Sequence, residues 1–131
     1  MLDIRSDRSL SVLLVEDSKL LAERLSELVL GITGLDIAAI VDNEAAALGA
    51  VSAGNIDVIL LDLHLRQGTG FGVLRGITKL ARRPIVVVLT NYDLAEYRRT
   101  ATALGAEYFL DKVRDMDQLP GVMNKIREEL N

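Results

Sequence analysis

Val58-Ile59-Leu60-Leu61-Asp62 is a run of four aliphatic residues closed by a carboxylate, and Val12-Leu13-Leu14-Val15-Glu16-Asp17 repeats the pattern with two. Short unbroken apolar runs of this kind read as strands buried on both faces. Two more runs end on polar groups: Ile85-Val86-Val87-Val88-Leu89 on Thr90, and Tyr108-Phe109-Leu110-Asp111 on Lys112. Between the runs, apolar residues recur at helical spacing. A first helix follows Ser18, aligns Leu21, Leu25, Leu28 and Val29, and stops near Thr33-Gly34. Residues 36–41 read as a further strand, after which Asp42 or Asn43 caps an alanine-rich helix with Leu48 and Val51 that ends at Gly54-Asn55. Past Gly68-Thr69-Gly70, the stripe Val73, Leu74, Ile77 and Leu80 predicts a third helix that stops before Pro84. A fourth runs from about Asp93 to Leu104, with Gly105 beyond it. A fifth begins near Asp115, holds Pro120 in its first turn, and aligns Val122, Met123, Ile126 and Leu130.

Five strands alternating with five helices predict an α/β domain: a five-stranded parallel sheet of order 2-1-3-4-5, doubly wound and flavodoxin-like. The chain of 131 residues fits one domain on the prior of about 100 to 200 residues each. That domain is expected to span residues 1–131, with residues 1–9 as an N-terminal tail. Half of the residues are hydrophobic, yet charged residues break every run well short of the roughly 18 apolar residues of a membrane helix. The start, Met1-Leu2-Asp3-Ile4-Arg5-Ser6-Asp7-Arg8, lacks the pattern of a secretory signal. There is no cysteine, so disulfides and thiolate metal sites are excluded and a soluble, cytoplasmic protein is expected. A net charge of −4 argues against a direct nucleic-acid surface. Arg82-Arg83, before Pro84, read as cations at a helix C-terminus, and Arg98-Arg99 as a solvated or partner-facing patch.

In the 2-1-3-4-5 order, ligands bind where the chain reverses between strands 1 and 3, at their C-terminal edge. Glu16, Asp17 and Asp62 therefore gather there, with Thr90 on one flank and Lys112 about two strand spacings away. Carboxylates held this close raise each other's pKa, and a bound cation is the usual relief. With one histidine, His64, and no thiolate, all-oxygen ligation suits Mg²⁺, or Mn²⁺ in its place. Such an ion beside Asp62, an ammonium at Lys112 and a hydroxyl at Thr90 equip the edge for transfer of a phosphoryl group to Asp62. Each residue also has a plainer role: Asp17 as a helix cap with Ser18, Asp62 as a turn former, Thr90 and Lys112 as structural or solvated groups, Phe109 as a core aromatic. Their joint occurrence at one edge favours the site.

From about Ser11 to Leu130 the chain resembles the receiver domain of two-component response regulators. The motifs that carry the resemblance are Leu14-Val15-Glu16-Asp17-Ser18, Leu60-Leu61-Asp62-Leu63, Gly70, Thr90, and Gly105-Ala106 ahead of Tyr108-Phe109-Leu110-Asp111-Lys112. The resemblance implies that Asp62 is the phosphoacceptor and that Asp17, Asp62 and the backbone carbonyl of His64 ligate Mg²⁺, with Glu16 acting largely through water. It makes Thr90 and Phe109 the switch pair and Lys112 a contact to the phosphoryl group. It also implies a histidine kinase or phosphotransfer protein as donor and an unknown downstream protein as reader. Such a domain catalyses only its own phosphorylation and dephosphorylation, and its fourth-helix, fifth-strand, fifth-helix face is a candidate homodimer surface. No effector segment is expected within this chain.

Three positions depart from the family pattern. Val113 follows Lys112 where proline is common, which leaves a trans bond with a rearranged loop or a cis bond as the alternatives. Arg66 stands where proline often follows the acceptor strand, and Asn91 is larger than the small residue often found after the threonine. Rival chemistries fit less well. A mononucleotide-binding loop would not carry Glu16-Asp17, a dehalogenase-type hydrolase would have an aspartate at position 64, and the glycine-lysine motif of P-loop nucleotidases is missing. The competing function is a pseudo-receiver that serves only as a phosphorylation-independent protein-interaction module.

Overall fold

The computed structural model describes residues 9–130, so the expected tail lies, apart from Ser9, outside the described residues. The strands are β1 (Leu10–Val15), β2 (Leu35–Val41), β3 (Val58–Asp62), β4 (Ile85–Thr90) and β5 (Tyr108–Asp111). The helices are α1 (Lys19–Leu30), α2 (Glu44–Ser52), α3 (Gly70–Ile77), α4 (Ala95–Ala103) and α5 (Leu119–Leu130). All four strand pairings are parallel, and the sheet order is β2-β1-β3-β4-β5 as the sequence predicts.

Helices cover both faces, so a central strand needs apolar residues throughout while an edge strand does not. β3 is accordingly buried at every residue, whereas the edge strand β2, after the buried Leu35, alternates between exposed and half-buried positions. Successive side chains point to opposite faces and divide the core in two. Val58 and Leu60 pack with Leu25 of α1 and Met123 of α5, while Ile59 and Leu61 pack with Val73 and Ile77 of α3 and Ala101 of α4. Among the described residues, no helix is long and apolar enough to cross a membrane.

Several element ends differ from the sequence reading for local reasons. α1 stops at Leu30 because Gly31 and the β-branched pair Ile32-Thr33 are poor helix formers. α3 ends at Ile77 rather than near Pro84. There the Thr78 hydroxyl donates to the Arg75 carbonyl at 2.6 Å, and the Lys79 and Leu80 amides bond three residues back, which tightens and closes the last turn. Arg82 and Arg83 are therefore not at a helix C-terminus. Arg82 instead pairs with the buried Asp57 at 2.9 Å, and Arg83 donates to the Gly105 carbonyl at 3.1 Å, both at the sheet edge remote from Asp62. α4 begins at Ala95, because Asp93 is engaged by arginines and caps nothing. A 3-10 turn at Met116–Gln118 precedes α5, whose first turn holds Pro120.

Candidate functional site

The strand ends bring the predicted groups together. Glu16 follows β1, Asp62 closes β3, Thr90 closes β4 and Lys112 follows β5. One carboxylate oxygen each from Glu16, Asp17 and Asp62 lies within 4.8 Å of the others. Glu16 and Asp62 are each 4% exposed, whereas Asp17 is open to solvent. Lys112 reaches further than the sequence suggested: its Nζ lies 2.7 Å from Glu16 Oε1 and 3.0 Å from Asp62 Oδ2. The remaining oxygens are held by backbone, since the Ser18 amide donates to Glu16 Oε2 at 3.0 Å and the His64 amide to Asp62 Oδ1 at 3.1 Å. Ser18 itself caps α1, its Oγ accepting from the Leu21 amide, so Asp17 is free of that role.

Burial pushes the Glu16 carboxyl above the usual carboxylate range, opposed by its bonds from Lys112 and Ser18 and reinforced by the Asp62 charge. Burial works against the Lys112 charge as well, but Glu16 and Asp62 outweigh it and hold its pKa above the ordinary lysine value. The ammonium thus stays charged and partly offsets the acidic pair. Three carboxylate oxygens gathered within 4.8 Å of one another are an all-oxygen donor set of the kind that a hard divalent cation such as Mg²⁺ takes.

Above these groups opens a cleft of about 330 Å³, whose walls include Asp17, His64, Asn91 and Tyr92. Thr90 is fully buried and its Oγ1 accepts from the Tyr92 amide at 3.0 Å, which leaves the hydroxyl hydrogen available to a ligand. The exposed His64 side chain packs against Tyr92, with ring centroids 4.5 Å apart. Phe109 lies in the core beneath α4, and the Arg98 guanidinium sits 4.6 Å from its ring centre. Arg98 is therefore tied to Phe109 and to Asp93, at 3.1 Å, rather than simply solvated. This contact was hidden from the sequence because it joins residues on two different elements.

The corner after β5 resolves the open alternative at Lys112-Val113: the bond is trans. Asp111 Oδ1 accepts the Val113 and Arg114 amides, both at 2.8 Å, and Asp115 Oδ2 accepts the Asp111 amide at 2.9 Å. Arg114 in turn pairs with Asp93 on the β4–α4 loop. The Arg114 and Arg98 partners hold the Asp93 carboxyl below the usual range, and the Asp111 amide and Arg114 do the same for Asp115. A depressed carboxylate stabilises the fold above its unfolded pKa, about 3.9, and that contribution is lost as pH falls through the folded value. Acidification from pH 5 to pH 3 is therefore expected to lower the thermal midpoint. Asp115→Asn, which cannot titrate, should flatten part of the decline in a calorimetric pH series.

The sequence profile of the response regulator receiver domain matches residues 12–124. The chain belongs to that family. This receiver domain is 29% identical over 119 residues to the sensory transduction protein LytT of Enterococcus faecalis, covering 91% of this chain and 48% of that protein. It is 33% identical over 107 residues to protein-glutamate methylesterase/protein-glutamine glutaminase 2 of Anaeromyxobacter dehalogenans, covering 81% and 31%. The chain spans less than half the length of these curated relatives. The response regulatory domain of MrkE from Klebsiella pneumoniae shares the fold at a TM-score of 0.84 and 22% identity, covering 92% of this chain and 98% of that one. The response regulator domain of CheB from Thermotoga maritima does so at 0.82 and 23%, covering 95% and 98%.

Proposed function

We propose that this receiver domain accepts a phosphoryl group on Asp62 and thereby switches a surface that another protein reads. The observation that carries the reading is the Lys112 ammonium seated between Glu16 and Asp62 on the floor of the cleft. A buried carboxylate is a poor landing place for an anionic group unless positive charge is already aimed at it. Glu16, Asp17, Asp62 and the His64 carbonyl would hold Mg²⁺, or Mn²⁺ as substitute. When bound, the ion would neutralise charge on the transferring group.

The chain's own residues do the rest. An Asp62 carboxylate oxygen attacks phosphorus; the new O–P bond forms as the bond to the donor breaks, and the donor keeps that electron pair. Lys112 turns from Asp62 Oδ2 toward the arriving phosphoryl oxygens, and Thr90 donates its hydroxyl hydrogen to one of them. Movement of Thr90 toward the phosphoryl group vacates room that Phe109 enters, which biases a two-state equilibrium of the α4–β5–α5 face. The donor is a histidine kinase or phosphotransfer protein, which makes the cytoplasm the compartment of the reaction. The reader is a downstream protein or a second copy of the chain, and residues 1–131 act as one receiver domain with no reaction on any other substrate.

Incubation with acetyl phosphate tests the reading. One phosphoryl adduct should form with Mg²⁺ and none with a chelator in its place. No adduct with either acetyl phosphate or a phosphorylated kinase would leave the pseudo-receiver. Asn91, on the wall of the cleft, is proposed to shield the acyl phosphate from water. Asn91→Ala should therefore lose phosphate several-fold faster in a decay series; equal or slower loss removes that role.

A further inference from the structure

Glu44 stands on the first turn of α2, far from the cleft in sequence, yet it holds the loop that follows the acceptor strand. Its Oε1 accepts the Thr69 amide at 3.0 Å, and its own amide donates to the Gln67 carbonyl at 3.0 Å. Thr69 pairs across the loop with His64 in an isolated antiparallel bridge, and the Gly70 amide closes the loop's base on the Leu63 carbonyl at 3.0 Å. The His64 amide then holds Asp62 Oδ1. A short chain of contacts thus runs from Glu44 through Thr69 and His64 to the acceptor carboxylate.

Two glycines leave the room this tether needs. A Cβ on Gly68 or on Gly72 would run into the Glu44 side chain, so the carboxylate fills the space that both positions leave empty. Neither the charge of Glu44 nor its helix position requires that fit. The side chain bridges α2 to the loop, and removing it takes the partner from the Thr69 amide, while the Thr69 hydroxyl still caps α3 by accepting from the Gly72 amide.

We propose that Glu44 is a positioning residue for the cation site: through Thr69 it fixes His64, whose carbonyl is the backbone oxygen offered to the metal. The inference rests on the metal-binding reading above and adds to it a residue outside the cleft. Partners that orient ligands from behind typically change metal affinity about 10- to 100-fold. The indirect path through Thr69 puts Glu44 at the lower end of that range.

The test is binding of Mn²⁺ alone, read from the electron paramagnetic resonance signal of the free ion. Glu44→Ala should raise the dissociation constant about ten-fold, near the lower end for such partners. Glu44→Gln should stay close to wild type, since an amide oxygen still accepts from Thr69. Gly72→Ala should weaken binding as Glu44→Ala does, by evicting the carboxylate, while favouring the helix it lies in. The double variant should be no worse than either single one, because both remove the same contact. Unchanged affinity in folded Glu44→Ala, or additive losses in the double variant, overturns the proposal while leaving the phosphoacceptor reading intact. A wild type that binds no Mn²⁺ overturns both.

Discussion

Lys112→Ala is expected to lower the stability of the metal-free protein by about 3 kcal/mol and its phosphorylation rate by at least about a hundred-fold. The stability figure follows from burial. The Lys112, Glu16 and Asp62 side chains are 7%, 2% and 5% exposed, so losing the ammonium strands two carboxylates with little water to screen them. Breaking a buried ion pair on one side costs about 3–5 kcal/mol. The lower end applies because Glu16, already above the usual range through burial, can escape by taking a proton. That escape sets the sign of the pH dependence. Without Lys112 the Glu16 pKa rises further above its unfolded value, so the folded state binds more protons and stability declines as pH rises from about 4 toward neutrality. Calorimetry of the variant from pH 5 to pH 8 should show the deficit widening. Saturation with Mg²⁺ should recover part of it, about 2.7 kcal/mol at a hundred times the dissociation constant. A variant as stable as wild type at pH 8 without metal would show that the ammonium and the two carboxylates are not coupled.

Gly70→Ala should damage the same site from the backbone side. Gly70 opens α3, and a Cβ there would meet the Asp62 carbonyl oxygen and the Leu63 Cα, the latter at 2.8 Å. Backbone atoms cannot rotate away as a side chain can, so the strand end and the helix start must separate. Overpacking of this kind costs about 1–3 kcal/mol, against which alanine returns up to about 1 kcal/mol as a better helix former. Because both atoms it meets are backbone, the upper end of that cost applies, and a net loss of about 2 kcal/mol in urea titration is expected. Displacement of Asp62 by about 1 Å is enough to slow phosphoryl transfer by roughly a hundred-fold. Gly121→Ala is the control: it lies in α5 with nothing within 4 Å of an added Cβ, and it should be neutral or slightly stabilising. Matching results for the two alanines would mean that close packing at Gly70 does not position the acceptor.

The fold was legible because β1, β3 and β4 each carry an unbroken run of at least four buried aliphatic residues, a pattern that a sheet covered on both faces requires. The gathering of Glu16, Asp62, Thr90 and Lys112 was legible for the same reason, since each stands where such a strand stops. What the sequence could not reveal depends on side chains meeting across elements. The stripe through Leu80 was correct as an apolar face, but the Thr78 hydroxyl ends α3 early and sends Arg82 and Arg83 to partners at the opposite edge. Asp93 looked like a helix start and is an ion-pair hub, and Glu44 is packed against glycines more than twenty residues away. Lys112 was expected to reach toward Asp62, yet its contact with Glu16, the shorter of the two, depends on how far β1 and β5 bring their ends together.

Where the phosphoryl group lands decides the role of Asp62. Wild type and Asp62→Asn are to be treated side by side with Mg²⁺ and acetyl phosphate and read by intact mass. One phosphoryl adduct is expected on the wild type and none on Asp62→Asn. An adduct that persists in Asp62→Asn would rule out Asp62 as the acceptor.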